Sequence, residues 1–245
     1  VNITLKAAII LFVFMMPVKA DHGEETWRNA NEKVVSVLLK WPGSDQSVIG
    51  APPGTAPEGS GIYISPADSL ISTSSAKEHL RSRFILTAAH VITSAETIQI
   101  RRHDGSILPA RLVVVDIDRD LALLKVDQAA PALTPSLEPL FPGRHVCVIG
   151  NSFGLGLSLS CGVVSATGRQ KIGFNAIEDF VQTDAAVNPG ASGGALITGT
   201  GDLIGMVDAI FTKEADIDAG VNFAVSAALI IEALEYWQAD GVFDQ

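Results

Sequence analysis

With 245 residues, 47% of them hydrophobic and 18% charged, the chain can bury a substantial core and is too weakly charged for disorder. Its formal charge of −10 repels phosphate backbones, and no Lys/Arg cluster stands out beyond Arg101 and Arg102, which argues against nucleic acid as a partner. The two cysteines, Cys147 and Cys161, form no CxxC or Cys/His grouping; this argues against zinc and leaves a disulfide or two buried thiols open.

Residues 1–20 read as a secretory signal peptide: Lys6, an apolar run over 7–18, and a small residue, Ala20, before Asp21. The run is shorter than the roughly 20 residues that span a bilayer, so a retained membrane anchor is disfavoured. Cleavage after Ala20 removes Lys6 and Lys19 and no acid, so the charge moves from −10 to −12. The mature chain, 21–245, is therefore expected in the periplasm or outside the cell.

After a short helix around Glu24 to Lys33, the chain becomes a succession of about a dozen short β-branched runs, from VVSVLL and SGIYIS through HVCVIG to GVNFAV. Gly, Pro and Asp turns separate them, and His103-Asp104-Gly105-Ser106 is a hairpin signal. Helical spacing returns only at the end, where Ser226 can cap AALIIEALEYWQAD ahead of Gly241. The pattern predicts an antiparallel all-β protein of two small barrels with a C-terminal helix, over about 34–128, 143–225 and 227–239, divided by the proline-rich segment 129–143. A cleft between barrels is where a site is expected. GAPPGTAPEGSG, residues 50–61, reads as a flexible loop and 65–83 as a polar insertion, and no internal repeat is apparent.

One serine lies among glycines in VNPGASGGAL, residues 187–196. Gly, Pro, Asn and Ser also make ordinary turns, but Gly190, Gly193 and Gly194 would let the backbone expose the Ser192 hydroxyl and aim N–H groups at one point. A serine nucleophile needs an imidazole base and a carboxylate that fixes its tautomer. Of five histidines, His22, His79 and His103 fall in polar or turn sequence, whereas His90 ends the apolar run FILTAAHVI beside two alanines; a satisfied core histidine remains the plain alternative. For the carboxylate, VVVDIDRDLALLKV offers three candidates, with a solvated edge as the plain alternative for all of them. On a continuous strand Asp116, Asp118 and Asp120 would share one face, and only Asp120 directly precedes the apolar LALLKV.

TAAHV, DRDLALLKV and QTDAAVNPGASGGAL, in that order, resemble the histidine, aspartate and serine motifs of trypsin-like serine proteases, most closely the HtrA/Deg family. VCVIGNSFGL followed by GVVSATGR is also similar to that family's entry into a second barrel, and the likeness covers most of 34–230. It departs at Ala191 and Ala195, where the family has Asn and Pro, and at TAAH in place of TNxH. The family's C-terminal PDZ domain has no counterpart in the sequence, so its peptide sensing and cage assembly are not carried over.

The resemblance implies two six-stranded barrels and a secreted serine endopeptidase acting on polypeptides through Ser192, His90 and Asp120, with Gly190 and Ser192 N–H groups as the oxyanion hole and neither metal nor organic cofactor. It also implies that Cys147 and Cys161 are near neighbours on successive strands. By the same likeness Ala186 lies at the base of the substrate pocket and Val207 and Ala209 form a wall, while Asp208 alternates away toward the groove. Small or medium apolar residues would then precede the scissile bond. The competing expectation is a secreted pseudoprotease that binds a peptide or protein without cutting; an esterase-like elbow is disfavoured because β sequence, not helix, follows Ser192.

Overall fold

A computed structural model describes residues 22–40, 58–65, 80–93, 95–210 and 220–244. The signal-peptide assignment to 1–20 and the middle of the polar insertion, 66–79, lie outside the described residues. Helix α1 (His22–Ala30) and a 3-10 turn over Asn31–Lys33 lead into the first barrel. Its strands are β1 (Val34–Lys40), β2 (Glu58–Tyr63), β3 (Arg81–Ala88), β4 (Thr97–Arg101), β5 (Ile107–Asp116) and β6 (Leu121–Pro131). A single helical turn, α2 (Ala89–Ile92), follows β3. The second barrel comprises β7 (His145–Gly150), β8 (Ser158–Arg169), β9 (Phe180–Thr183), β10 (Ala195–Thr198), β11 (Leu203–Ile210) and β12 (Asn222–Ser226), and α3 (Ala227–Ala239) and a 3-10 turn over Val242–Asp244 follow it.

Both sheets close as antiparallel barrels, in the order β1-β2-β3-β6-β5-β4 and β10-β11-β12-β9-β8-β7. These are the same connectivity twice, a structural duplication with no matching sequence repeat. The expected all-β class, two six-stranded barrels and terminal helix are all present. The strands read as continuous apolar runs because their two faces serve different cores. On β7, Val146 and Val148 fill the barrel, while Cys147 and Ile149 turn to a shared layer with Ile62, Leu86, Phe180 and Trp237. That layer joins both barrels and α3. Ser226 caps α3 by accepting from the Leu229 N–H at 3.2 Å.

Three boundaries differ from expectation. The loop assigned to 50–61 is already strand from Glu58, because Gly59 and Gly61 serve close packing: a Cβ there would lie 2.5 Å from Val91 and 2.6 Å from Ile85. The polar insertion ends earlier than residue 83, since β3 starts at Arg81. The proline-rich divider is also partly ordered into the barrels: β6 runs through Pro131, and Leu133 and Pro135 bridge to Ile64 and Leu203, one on each barrel.

Candidate active site

His90 belongs to α2, immediately past the end of β3, and its imidazole is half exposed. The expectation that Asp116, Asp118 and Asp120 share one strand face is overturned. β5 ends at Asp116, and residues 117–120 form a turn that separates the three. Asp116 accepts from the Arg119 backbone and guanidinium, and Arg119 also reaches Glu232 on α3. Asp118 is exposed. Asp120, buried, has φ 54°, a left-handed conformation that persists in a non-glycine residue only when its surroundings enforce it. Here they do: its carbonyl accepts the Ala89 N–H at 3.1 Å, Oδ1 accepts the His90 N–H at 2.8 Å, and Oδ2 lies 2.6 Å from His90 Nδ1. These bonds fix both carboxylate and imidazole. Burial disfavours the imidazolium, but the Asp120 hydrogen bond and the charges of Asp120 and Asp208 outweigh it and raise the His90 pKa above its ordinary value.

The serine loop is held mainly through its carbonyls. Asn188 accepts from the Ala191 N–H, Pro189 from Phe153, Gly190 from the Ser60 hydroxyl, Ala191 from Gly194 and Ser192 from the Ser60 N–H, at 2.6 to 2.9 Å. Among the N–H groups of 190–194, only those of Gly190 and Ser192 have no partner among the described residues. Because C=O and N–H oppose each other across a trans peptide, turning the Pro189 and Ala191 carbonyls away aims these two N–H groups the other way. Gly190 needs its glycine: φ is 94°, and a Cβ would sit 2.5 Å from the Asn151 carbonyl. Phe153, whose N–H holds Pro189, is itself left-handed at φ 57°.

Ser60 is a residue that sequence reasoning missed. It lies on β2 of the first barrel, fully buried, and donates to Gly190 of the second while accepting the Asn151 N–H, both at 2.8 Å. Its only signal was a polar residue between two glycines, which reads as loop.

A cavity of about 500 Å³ lies between the barrels, lined by His90, Ile117, Asp120, Phe174, Asn175, Val187, Asn188, Pro189, Ser192 and Asp208. Ser192 and the His90–Asp120 pair thus open into one space. The Ser192 hydroxyl donates to the Asp208 carbonyl at 3.2 Å, and no hydrogen bond joins it to His90. Of the expected pocket residues, Ala186 and Val207 are not among the lining side chains; Val207 is buried in the second-barrel core. The Ala209 side chain lies outside the described residues. Phe174 and Asn175 line the cavity instead, from a segment given no role in the sequence. Glu178 orders it by accepting N–H groups from Ile172, Gly173, Phe174 and Asn175; although burial resists, these bonds lower its pKa.

Among the described residues, two clusters carry metal-type donors. His145, Cys147 and Cys161 form one, but the cysteines are joined in a disulfide, which removes their thiolates. His90, Asp120 and Asp208 form the other, with ligand atoms within 4.8 Å of one another.

A match to the trypsin-like peptidase domain spans residues 59–206. The chain belongs to the trypsin-like peptidase family. Among curated relatives of this family member, a probable periplasmic serine endoprotease, DegP-like, from Marinomonas sp. (strain MWYL1) is 36% identical over 160 residues, covering 64% of this chain and 34% of the relative. Serine endoprotease DegS from Haemophilus influenzae is 38% identical over 162 residues, covering 64% and 48%. The chain therefore spans less than half the length of either. Among solved structures, the HtrA-type protease AlgW with tripeptide superposes with a TM-score of 0.73 at 33% identity, covering 89% of this chain and 64% of that one.

Proposed function

We propose that this trypsin-like peptidase is a serine endopeptidase of the HtrA type that works on polypeptides in the periplasm. The observation that carries the proposal is the pairing, in one cavity, of a serine whose own N–H and that of Gly190 have no partner among the described residues with a histidine locked to a buried carboxylate. Ser192 Oγ leaves the Asp208 carbonyl, turns to His90 Nε2 and attacks the peptide carbonyl carbon as His90 takes its proton. Asp120 holds Nδ1–H and stabilises the imidazolium. The Gly190 and Ser192 N–H groups receive the oxyanion. His90 then protonates the departing amine, and water releases the acyl group by the same steps in reverse. The periplasmic names of relatives and the oxidised Cys147–Cys161 pair support an exported setting.

Substrate choice is part of the same proposal: small or medium apolar residues precede the scissile bond, in a pocket based on Ala186 and Ala209, with Val207 kept out of the lining by its burial in the second-barrel core. Ala186 offers no carboxylate to repay desolvation of a Lys or Arg. The apolar side chains of Ile117, Phe174, Val187 and Pro189 around the nucleophile favour the same class. One methylene is worth only about 1–3 kcal/mol, so preference within the class is weak.

A fluorophosphonate probe and casein test the reading together. Wild type is expected to be labelled and to cleave, whereas Ser192→Ala is neither labelled nor active above about one part in a thousand and keeps its melting temperature. An unlabelled, inert wild type would favour the pseudoprotease. In a peptide library read by mass spectrometry, dominant cleavage after Lys, Arg or Glu would refute the pocket.

A further inference from the structure

Asp208 is a second buried carboxyl beside the His90–Asp120 pair, and the peptidase mechanism above uses only its backbone. It projects from β11, is 5% exposed, and lines the cavity. A carboxylate oxygen of Asp208 lies within 4.8 Å of one of Asp120 and of a His90 ring nitrogen, and Oδ2 accepts the Asn175 Nδ2–H at 2.7 Å. Two carboxylates this close inside a protein are both ionised only at a large penalty, which favours a proton on one of them. Asp120 accepts two hydrogen bonds from His90, which favour its charge. Among the described residues Asp208 accepts one, from the neutral amide of Asn175.

We propose that Asp208 is a positioning residue that carries the shared proton and donates it as a hydrogen bond to Asp120, so that the catalytic pair works against one negative charge rather than two. This deepens the peptidase reading and rests on it for its catalytic consequence, though not for the placement of the proton. Burial, followed by the charge and hydrogen bond of Asp120, pushes the Asp208 pKa up to about 7 against the opposing effects of Asn175 and His90.

Among the described residues, the titratable groups facing Asp208 are Asp120, from the turn after β5, and His90, from α2. The segment before β9 contributes the neutral Asn175; β10 and β12, flanking β11, contain no titratable residue; and β3 carries only Arg81 and Arg83, at its far end. When this site holds one proton beyond those fixed, that proton resides either on Asp208, leaving His90 free as the base, or on His90, leaving two charged carboxylates. The two groups therefore titrate as a coupled pair.

Asp208→Asn keeps the donor to Asp120 and the acceptor for Asn175 but can never ionise. Measured on the full chain with EDTA present, the His90 imidazole resonance, identified by its loss in His90→Gln, is expected to titrate in two steps in wild type. In Asp208→Asn it should show a single step, with its upper limb moved down by about one pH unit, and the acid limb of kcat/KM should move with it. Asp208→Ala, which removes the donor, should lose about tenfold to a hundredfold in kcat with little change in KM, and Asp208→Asn should restore it. Superimposable His90 titrations in wild type and Asp208→Asn would overturn the proposal, as would an Asn variant as impaired as the Ala variant. An inert wild type whose His90 still shifts in Asp208→Asn would defeat the peptidase reading and uphold the proton placement.

Discussion

The first barrel presents His90 and Asp120 from two neighbouring chain reversals, α2 and the turn 117–120, that bond directly to each other at three points. The second barrel presents Ser192 from a glycine-rich loop, two of whose carbonyls are held by Ser60 of the other barrel. Base and carboxylate are thus ordered within one barrel, whereas the nucleophile is ordered partly by docking. Gly193 shows how close that docking is: a Cβ there would lie 2.1 Å from the Ser60 carbonyl. A site divided in this way should respond differently to damage on its two sides, and that difference can be measured.

The largest effect on turnover is expected inside the first barrel, from Asp120→Asn. Its carbonyl can still accept from the His90 backbone, but the amide that replaces Oδ2 cannot accept from Nδ1–H, so the wrong tautomer is favoured. A loss of about 10⁴ in kcat is expected, with the melting temperature changed far less. Asp116→Asn should instead disturb only the Arg119 link toward α3 and leave kcat within about twofold. If Asp116→Asn is the damaging change, the carboxylate has been assigned wrongly.

Ser60→Ala probes the docking. It leaves the Gly190 carbonyl and the Asn151 N–H buried without a partner, which costs about 1–3 kcal/mol in stability and loosens the peptides that aim the two loop N–H groups. A fall of roughly ten- to a hundredfold in kcat is expected, with the His90 titration unchanged because the first-barrel contacts are untouched. Full activity in this variant would mean that the loop holds itself and that the two barrels do not differ in the way described.

The same division explains what could be seen in the sequence. His90, Asp120 and Ser192 each stand in a local run whose composition is unusual: an apolar strand ending in two alanines and a histidine, an aspartate against LALLKV, a serine among glycines. The strands were legible for the same reason, since β-branched runs and turn residues are local signals. Ser60, Asn175 and the role of Asp208 were not, because each matters through a residue far away in the chain. Gly59 and Gly61 read as flexible when they permit close approach to Val91 and Ile85, and Asp120 was placed on a continuing strand because nothing local announces its left-handed backbone.

The smallest effect on turnover should come from the cross-link that the second barrel has and the first lacks. Cys147 on β7 faces Cys161 on β8 in direct register, and the two are bonded, with a sequence separation of 14. Closing a loop of that size stabilises the fold by about 3 kcal/mol, chiefly by restricting the unfolded chain. The register itself is set independently by five further pairs, from His145 with Val163 to Gly150 with Ser158, and Ile149 and Gly150 continue to Asn151 and the serine loop. Reduction with a phosphine keeps both sulfur atoms, which move apart only to van der Waals separation, and creates no cavity, so it removes chiefly the restraint. The melting temperature should fall by roughly 6–12 °C, while kcat at 25 °C stays within about twofold of the oxidised enzyme because the folded arrangement of Ser192, Gly190 and Ser60 is unchanged. A parallel loss of kcat at a temperature where the reduced protein is still folded would show that the disulfide positions β7 and its loop in the native state, and that the nucleophile side of the site depends on its own barrel as well as on docking.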